Sequence, residues 1–219
     1  DAQRKARVQQ FCKTLNEGYK RHKWSDDACG DVEWKADYVS KDGHPLLYAV
    51  FGSGDDTTLL LSAVHPDEIT PVPMGFRVAR HLKQNPALLQ PGMRVIVAPL
   101  VNPDGFLKRK PVRVNANGID LNRNFFTLDW YGKAKQLWLT LREKDPRHFP
   151  GAFPNSEVET IFQIALIDEF RPDKILSVHA PLGFLDYDGP GDQRRQMTPT
   201  EMRAKRLVTS ISEKSQNYK

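Results

Sequence analysis

Two histidines and one glutamate give this sequence its sharpest chemical signal. The apolar run TLLLSAV, from Thr58 to Val64, leads straight into His65-Pro66-Asp67-Glu68. A histidine and a glutamate three residues apart, at a turn entering a helix, can both reach one metal ion. Zinc takes imidazole nitrogen and carboxylate oxygen at about 2.0–2.2 Å, and a catalytic zinc needs three protein ligands with one position left open for water. An isolated HxxE pair carries little weight. A third candidate strengthens it: His179 closes the apolar run KILSV just as His65 closes TLLLSAV. A single histidine at the end of a strand can be a satisfied core residue, but two in matching places are harder to explain that way. His22, His44, His81 and His148 fall in polar or turn contexts and have no such partner.

Between the ligands lies a polar stretch from Asn102 to Asn124. It carries Asn102-Pro103-Asp104-Gly105 and then RVNANGIDLNRNF, residues 113–125. Gly105 and Gly118 are expected to supply turn conformations that other residues resist. Arginine offers a planar fork that matches a carboxylate at two points. A lone arginine in a polar loop is usually solvated. Here Arg113, Arg123 and several asparagines, Asn122 among them, crowd between apolar Ile119, Leu121 and Phe125, which predicts a loop held down at a site.

The elements that must position these groups alternate. Residues 1–23 read as a helix, with Val8, Phe11, Cys12 and Leu15 at helical spacing. Val32, Trp34, Ala36 and Tyr38 alternate as in a strand, Lys41-Asp42-Gly43 signals a hairpin, and a second strand follows to Gly52. Residues 58–64, 93–100 and 173–178 read as short apolar strands buried on both faces. Helices are expected over residues 72–88 and 128–145, and from residue 155 onward, the last with Ser156 as cap and Glu159 completing a capping box. This order predicts an α/β fold around a mixed, mainly parallel central sheet flanked by helices. Ligands gather beyond the carboxyl ends of strands in such sheets, where His65 and His179 lie. The organisation expected is an N-terminal helical segment with the first strand over 1–44, followed by one globular unit over 45–219.

Composition narrows the classes. A hydrophobic fraction of 39% with 10% aromatics suits a globular domain, and no apolar run approaches the ~20 residues a membrane span needs. The N-terminal DAQRKARVQQ is not a signal peptide, although a mature secreted chain would have lost one. The formal charge of +5 would favour anionic substrates, the alternative being a solvated basic face, and no basic tract interleaved with aromatics points to nucleic acid. Cys12 and Cys29 lack metal-site spacing. They predict a disulfide clip in an oxidising compartment, the alternative being two reduced thiols.

Together, HPDE (65–68), NPDG (102–105), NANGIDLNRNF (115–125), NSEVET (155–160) and SVHAP (177–181) resemble the zinc metallocarboxypeptidases of the carboxypeptidase A family. The order and spacing of the motifs are most similar to the short bacterial branch that includes murein peptide amidases, over roughly residues 45–185. The resemblance implies Zn2+ held by His65, Glu68 and His179. It implies that Arg113, with Arg109 as the nearby alternative, polarises the scissile carbonyl. It also implies that Asn122 and Arg123 grip the terminal carboxylate of a peptide substrate, in a periplasmic or secreted enzyme. The family's general base is a glutamate on a late strand. After His179 only Glu201 and Glu213 remain, both in the helix-like segment 198–214, so that glutamate is expected beyond residue 219 in a longer protein. A zinc acylase on small N-acyl amino acids and a non-catalytic binding module are the competing readings.

Overall fold

The computed structural model describes residues 2–181, 185, 187 and 197–214. Two compact units divide at His179: Asp1–His179 and Ala180–Lys219.

The first unit opens with helix α1, Ala2–Arg21. Its Phe11, Leu15 and Tyr19 recur at helical spacing and are buried, together with Phe76, Leu100 and Phe106. Cys12 and Cys29 are joined by a disulfide that ties α1 to the segment before the sheet. Strand β1 runs Lys35–Val39 and β2 runs Pro45–Gly52. The alternation read from Val32 therefore yields a strand only from Lys35. Ser40 N donates to His44 O in the hairpin turn between them.

Strand β3, Asp56–Ser62, and strand β4, Met93–Ala98, form the centre of a five-stranded sheet of order β1-β2-β4-β3-β5, where β5 is Lys174–Val178. β1 with β2 and β2 with β4 pair antiparallel, whereas β3 with β4 and β3 with β5 pair parallel. The mixed sheet read from the sequence is present, antiparallel at its start and parallel later. Strand alternation sends β3 side chains to both faces. Leu59 and Leu61 pack with Ile96, Leu121, Phe162 and Leu166, while Leu60 packs with Ala49, Ala79 and Val97. Helix α2, Pro71–Gln84, starts on Pro71 and Pro73, which the first turn tolerates because its N–H groups lack intrahelical partners. The helix read over 72–88 ends at Gln84, and a separate 3-10 turn covers Pro86–Leu88 because proline cannot continue the ladder. Helix α3 is the short Pro103–Leu107, α4 is Trp130–Thr140 and α5 is Val158–Phe170.

Two further expectations need correction. Residue Glu157, not Ser156, stands at the N-cap of α5 and makes no capping bond. The Ser156 hydroxyl donates to Glu157 Oε1 instead. Strand β5 is not buried on both faces: Ile175 is 46% and Leu176 38% exposed among the described residues. Its apolar letters say strand, but its place at the end of the strand order leaves it one described neighbour, β3.

In the second unit, helix α6 spans Pro199–Lys214. Thr198 and Glu201 form a reciprocal cap: Thr198 N donates to Glu201 Oε2, and Glu201 N to Thr198 Oγ1.

Candidate metal centre

β3 ends at Ser62, three residues before His65. Ala63 adopts φ +52°, a left-handed conformation that costs a β-carbon residue about 1 kcal/mol or more. The surroundings hold it there: Val101 N donates to Ser62 O and Asn102 N to Ala63 O. The strained turn swings residues 65–68 over the carboxyl end of the sheet. Gly105 serves this loop by closeness, not by a turn conformation. A β-carbon there would lie 2.9 Å from Pro66 Cγ and 2.8 Å from Asn102 Nδ2, and Gly105 sits within α3 without positive φ. Gly118 does occupy the left-handed region, at φ +76°.

His65, Glu68 and His179 converge, with one ligand atom from each within 4.8 Å of the others. His65 Nδ1 lies 3.1 Å from Glu68 Oε1, and His179 Nδ1 lies 2.9 Å from Glu68 Oε2. With bonds of ~2.1 Å, ligand atoms around a tetrahedral zinc stand roughly 3.4 Å apart, so the trio already holds near-ligating separations. Two imidazoles and one carboxylate are a catalytic-zinc donor set with a fourth position open. The residues present fit zinc.

Asp120 backs the cluster, a residue within the 115–125 motif to which the sequence assigned no role. Its fully buried carboxylate places Oδ1 2.9 Å from His65 Nε2 and takes Arg113 Nε at 2.9 Å on Oδ2. A carboxylate on Nε2 fixes the tautomer that leaves Nδ1 as the ligating lone pair. Burial alone would raise the Asp120 pKa, but the His65 hydrogen bond and the His65 and Arg113 charges bring it down to about 2. Burial pulls the His65 pKa down, yet the bonds to Asp120 and Glu68 outweigh this and raise it. An acid with Asp120's connections, two residues before Asn122, was visible in the sequence; its partners on other elements were not.

Arg113 also reaches Glu68 Oε1 at 3.3 Å, so its guanidinium stands directly beside the cluster. Arg109 is exposed on a loop away from these contacts. Of the two arginines, the structure brings Arg113 to the site. Asn122 and Arg123 form a 3-10 turn, Leu121–Arg123, capped by Asp120. Asn122 Nδ2 lies 3.2 Å from His179 Nε2, and Arg123 is exposed with Nη1 donating to Asn122 O. The loop is held through Asn115, whose Oδ1 accepts from Asn117 N and Ile119 N, and whose Nδ2 donates to Glu157 and Glu159. Burial raises the Glu159 carboxyl to about pH 7 against the lowering effect of Asn115.

His148 was set aside in the sequence as lacking a partner. It stands beside Asp120, Nδ1 to Oδ2 3.5 Å, because the turn Pro146–His148 folds back onto the site. Glu201 and Glu213 lie on α6, in the second unit.

The fold and cluster together define an α/β protein with a candidate catalytic metal centre at the carboxyl end of a mixed sheet. The chain belongs to the zinc carboxypeptidase family, whose model matches residues 41–219. Murein peptide amidase A of Escherichia coli K12 is 33% identical over 147 residues, covering 66% of this chain and 57% of its own length. The Vibrio campbellii protein of the same name is 31% identical over 147 residues. The chain thus spans little more than half the length of these relatives. The murein-tripeptide amidase of Escherichia coli O157 superposes with a TM-score of 0.54 at 26% identity, covering 72% of this chain and 65% of its own. Bovine thrombin-activatable fibrinolysis inhibitor superposes at 0.66 over 96% of this chain and 72% of its own, with 18% identity, a likeness of fold.

Proposed function

We propose that the protein is a zinc-dependent carboxypeptidase that cleaves an amide bond next to a free terminal carboxylate, in bacterial cell-wall peptides. The observation that carries this reading is the convergence of His65, Glu68 and His179 with Arg113 on one side and Asn122 on His179. His65, Glu68 and His179 would hold the metal. When bound, zinc would polarise a carbonyl and lower the pKa of its water. Arg113, oriented by Asp120, would steady the oxygen that gains negative charge. Asn122 and Arg123 would fix the substrate carboxylate, and so set the register of the bond attacked. Of the carboxylates at the cluster, Glu68 is committed to the ligand set, and Asp120 to His65 and Arg113.

The cell-wall substrate is supported by the likeness to the murein peptide amidases. A periplasmic or secreted location is supported by the Cys12–Cys29 disulfide, since such bonds persist in oxidising compartments. The test is hydrolysis by the zinc-loaded protein of muropeptides and of matched peptides with free or amidated C-termini. Cleavage confined to free carboxylates, and lost with chelator, is expected. Equal cleavage of amidated peptides would sink the terminal-carboxylate reading, and turnover of N-acyl amino acids alone would put the acylase in its place.

A further inference from the structure

Helix α4 rests on its own unit through one narrow stripe. Trp130, Ala134 and Trp138 stand four residues apart and are buried or half-buried. Trp130 Nε1 donates to Arg123 O, Trp138 Nε1 donates to Asp145 O, and the Trp138 ring packs on Phe149 at 4.8 Å. The next stripe round the helix is Tyr131, Lys135 and Leu139, and Leu128 continues it one turn earlier. All four are exposed, Leu128 at 97% and Tyr131 at 68%. Leu141, at the helix C-cap, is 75% exposed.

Seven of the seventeen large apolar side chains exposed among the described residues fall within residues 126–153. Single exposed apolar residues are ordinary, but such a concentration marks an interaction surface. Phe126 and Phe153 belong to it. Phe126 N donates to Asn155 Oδ1 and Phe153 O accepts from Asn124 Nδ2, which brings the two residues together before α4. Cations stand among these groups. Lys135, Arg142 and Lys144 make no ion pair among the described residues. Of the acids in the segment, Asp129 is held by Lys133 and Asp145 faces His148, which leaves only Glu143 to oppose them.

The pairing of apolar and cationic groups names the occupant. A second copy of the chain would set these cations against themselves, because a two-fold contact joins the same patch on both partners. A bilayer bearing anionic lipid meets both demands. Leucine and tyrosine on an amphipathic helix enter the boundary between headgroups and acyl chains, while lysine and arginine stay at the headgroups on long apolar stems. We propose that α4 and the turn after it dock the protein on an anionic phospholipid surface, with Leu128, Tyr131 and Leu139 inserted and Lys135, Arg142 and Lys144 against the lipid phosphates. The inference does not rest on the proposed reaction. It does bear on the candidate metal centre, because the same segment is fastened there: Asp120 N donates to Phe149 O, and Arg147 Nη1 lies 2.8 Å from Asp67 Oδ2 in the ligand loop. Docking would therefore hold that centre close to the bilayer.

The test floats the full chain with vesicles of phosphatidylcholine alone and of phosphatidylcholine with about 30% phosphatidylglycerol, at low and high salt. Wild type is read beside three double variants: Leu128→Ser with Tyr131→Ser, Lys135→Glu with Arg142→Glu, and Lys5→Glu with Lys13→Glu. The last pair makes the same charge change at exposed positions of the basic helix α1. Wild type is expected to bind anionic vesicles roughly 10–100-fold more strongly than neutral ones, and less strongly at high salt. The Leu128 and Tyr131 pair should lose about 10-fold or more of that binding. The Lys135 and Arg142 pair should abolish the preference for anionic lipid, and the α1 pair should keep it. Wild type that stays off anionic vesicles overturns the proposal. So does an equal loss in the α1 pair, which would mean attraction of the whole chain's charge, and so does wild-type binding by the Leu128 and Tyr131 pair. Light scattering covers the remaining occupant: a wild-type dimer dispersed by Leu128→Ser with Tyr131→Ser, without vesicle binding, gives the face to a second copy and overturns the proposal too.

Discussion

The two histidines that frame the candidate metal centre sit at matching places, one just beyond each of two adjacent parallel strands, yet their surroundings differ. His65 follows β3, the strand flanked by β4 and β5, and its side chain is 2% exposed. Its far nitrogen is fixed by a buried carboxylate that also holds Arg113. His179 follows β5, whose middle residues are exposed among the described residues, and its far nitrogen meets the amide of Asn122 and the hydroxyl of Ser177. The His65 half is therefore preorganised by the fold, while the His179 half depends more on what it binds. Preorganisation at one ligand and adaptability at another is a workable division for a catalytic metal site, which must hold its ion but leave room for substrate.

The largest expected effects test whether both halves serve one ion. Replacing His65, Glu68 or His179 with Ala is expected to cost more than 100-fold in zinc affinity, beyond the usual loss for a supporting residue. Zinc at 100 times its dissociation constant should stabilise the native protein by about 2.7 kcal/mol. That stabilisation should vanish in all three variants. If His179→Ala retains zinc with wild-type affinity in calorimetry, the two histidines do not share a site.

The second test addresses the strands beneath them. Leu59→Ala in β3 removes a fully buried side chain and should cost about 2–5 kcal/mol in chemical denaturation. Leu176→Ala in β5, 38% exposed, should cost under about 1 kcal/mol. Comparable losses would mean that β5 is covered in solution.

How much of this was legible follows the same division. The candidate ligands, which the structure brings together, were readable because each signal is local: an apolar run ending on histidine, and a carboxylate three residues on. The mixed sheet was readable because strand periodicity and hairpin chemistry are short-range. Asp120 lay inside a motif, but its importance depends on His65, 55 residues away, and on Arg113 meeting at its two oxygens. His148 and Arg147 were opaque for the same reason, since only the fold-back of 145–149 brings them to Asp120 and Asp67. The exposure of β5 depends on which neighbours a strand acquires, and apolar composition carries no record of that. Ser156 was misread because the capping pattern S-x-x-E fits residues 156–159, while the Ser156 hydroxyl found Asn124 and Glu157 instead.

The third test goes to the buried carboxylate. Asp120→Asn keeps the shape but offers His65 Nε2 a weaker, neutral partner and takes the charge from Arg113. A loss of roughly 10–100-fold in zinc affinity is expected. Asn122→Ala, the equivalent change on the His179 side, should alter zinc affinity by less than about 10-fold and weaken carboxylate-bearing ligands instead. Equal effects on zinc would erase the proposed asymmetry.

The last test concerns the ground on which the His65 half is built. The loop carrying Arg113 and Asp120 turns on Asn115, and Asn115 leans on Glu157 and Glu159 at the start of α5. Glu159 is fully buried, and its carboxyl titrates at about 7, raised from an ordinary 4.5 by burial against Asn115. An acid with a raised native pKa keeps its proton in the folded state after the unfolded chain has lost it. The folded state then binds more protons than the unfolded one between about pH 4.5 and 7, and stability falls as pH rises through that window, levelling off above it. The fall attributable to Glu159 should be on the order of 3 kcal/mol. Glu159→Gln removes the ionisable proton while keeping the shape, so its stability should lose this part of the pH dependence and exceed wild type at pH 8. Denaturant melts at pH 5, 6, 7 and 8 decide the point. Parallel pH profiles for the two proteins would show that Glu159 ionises freely, and that the backing of the His65 half is wetter than its burial implies.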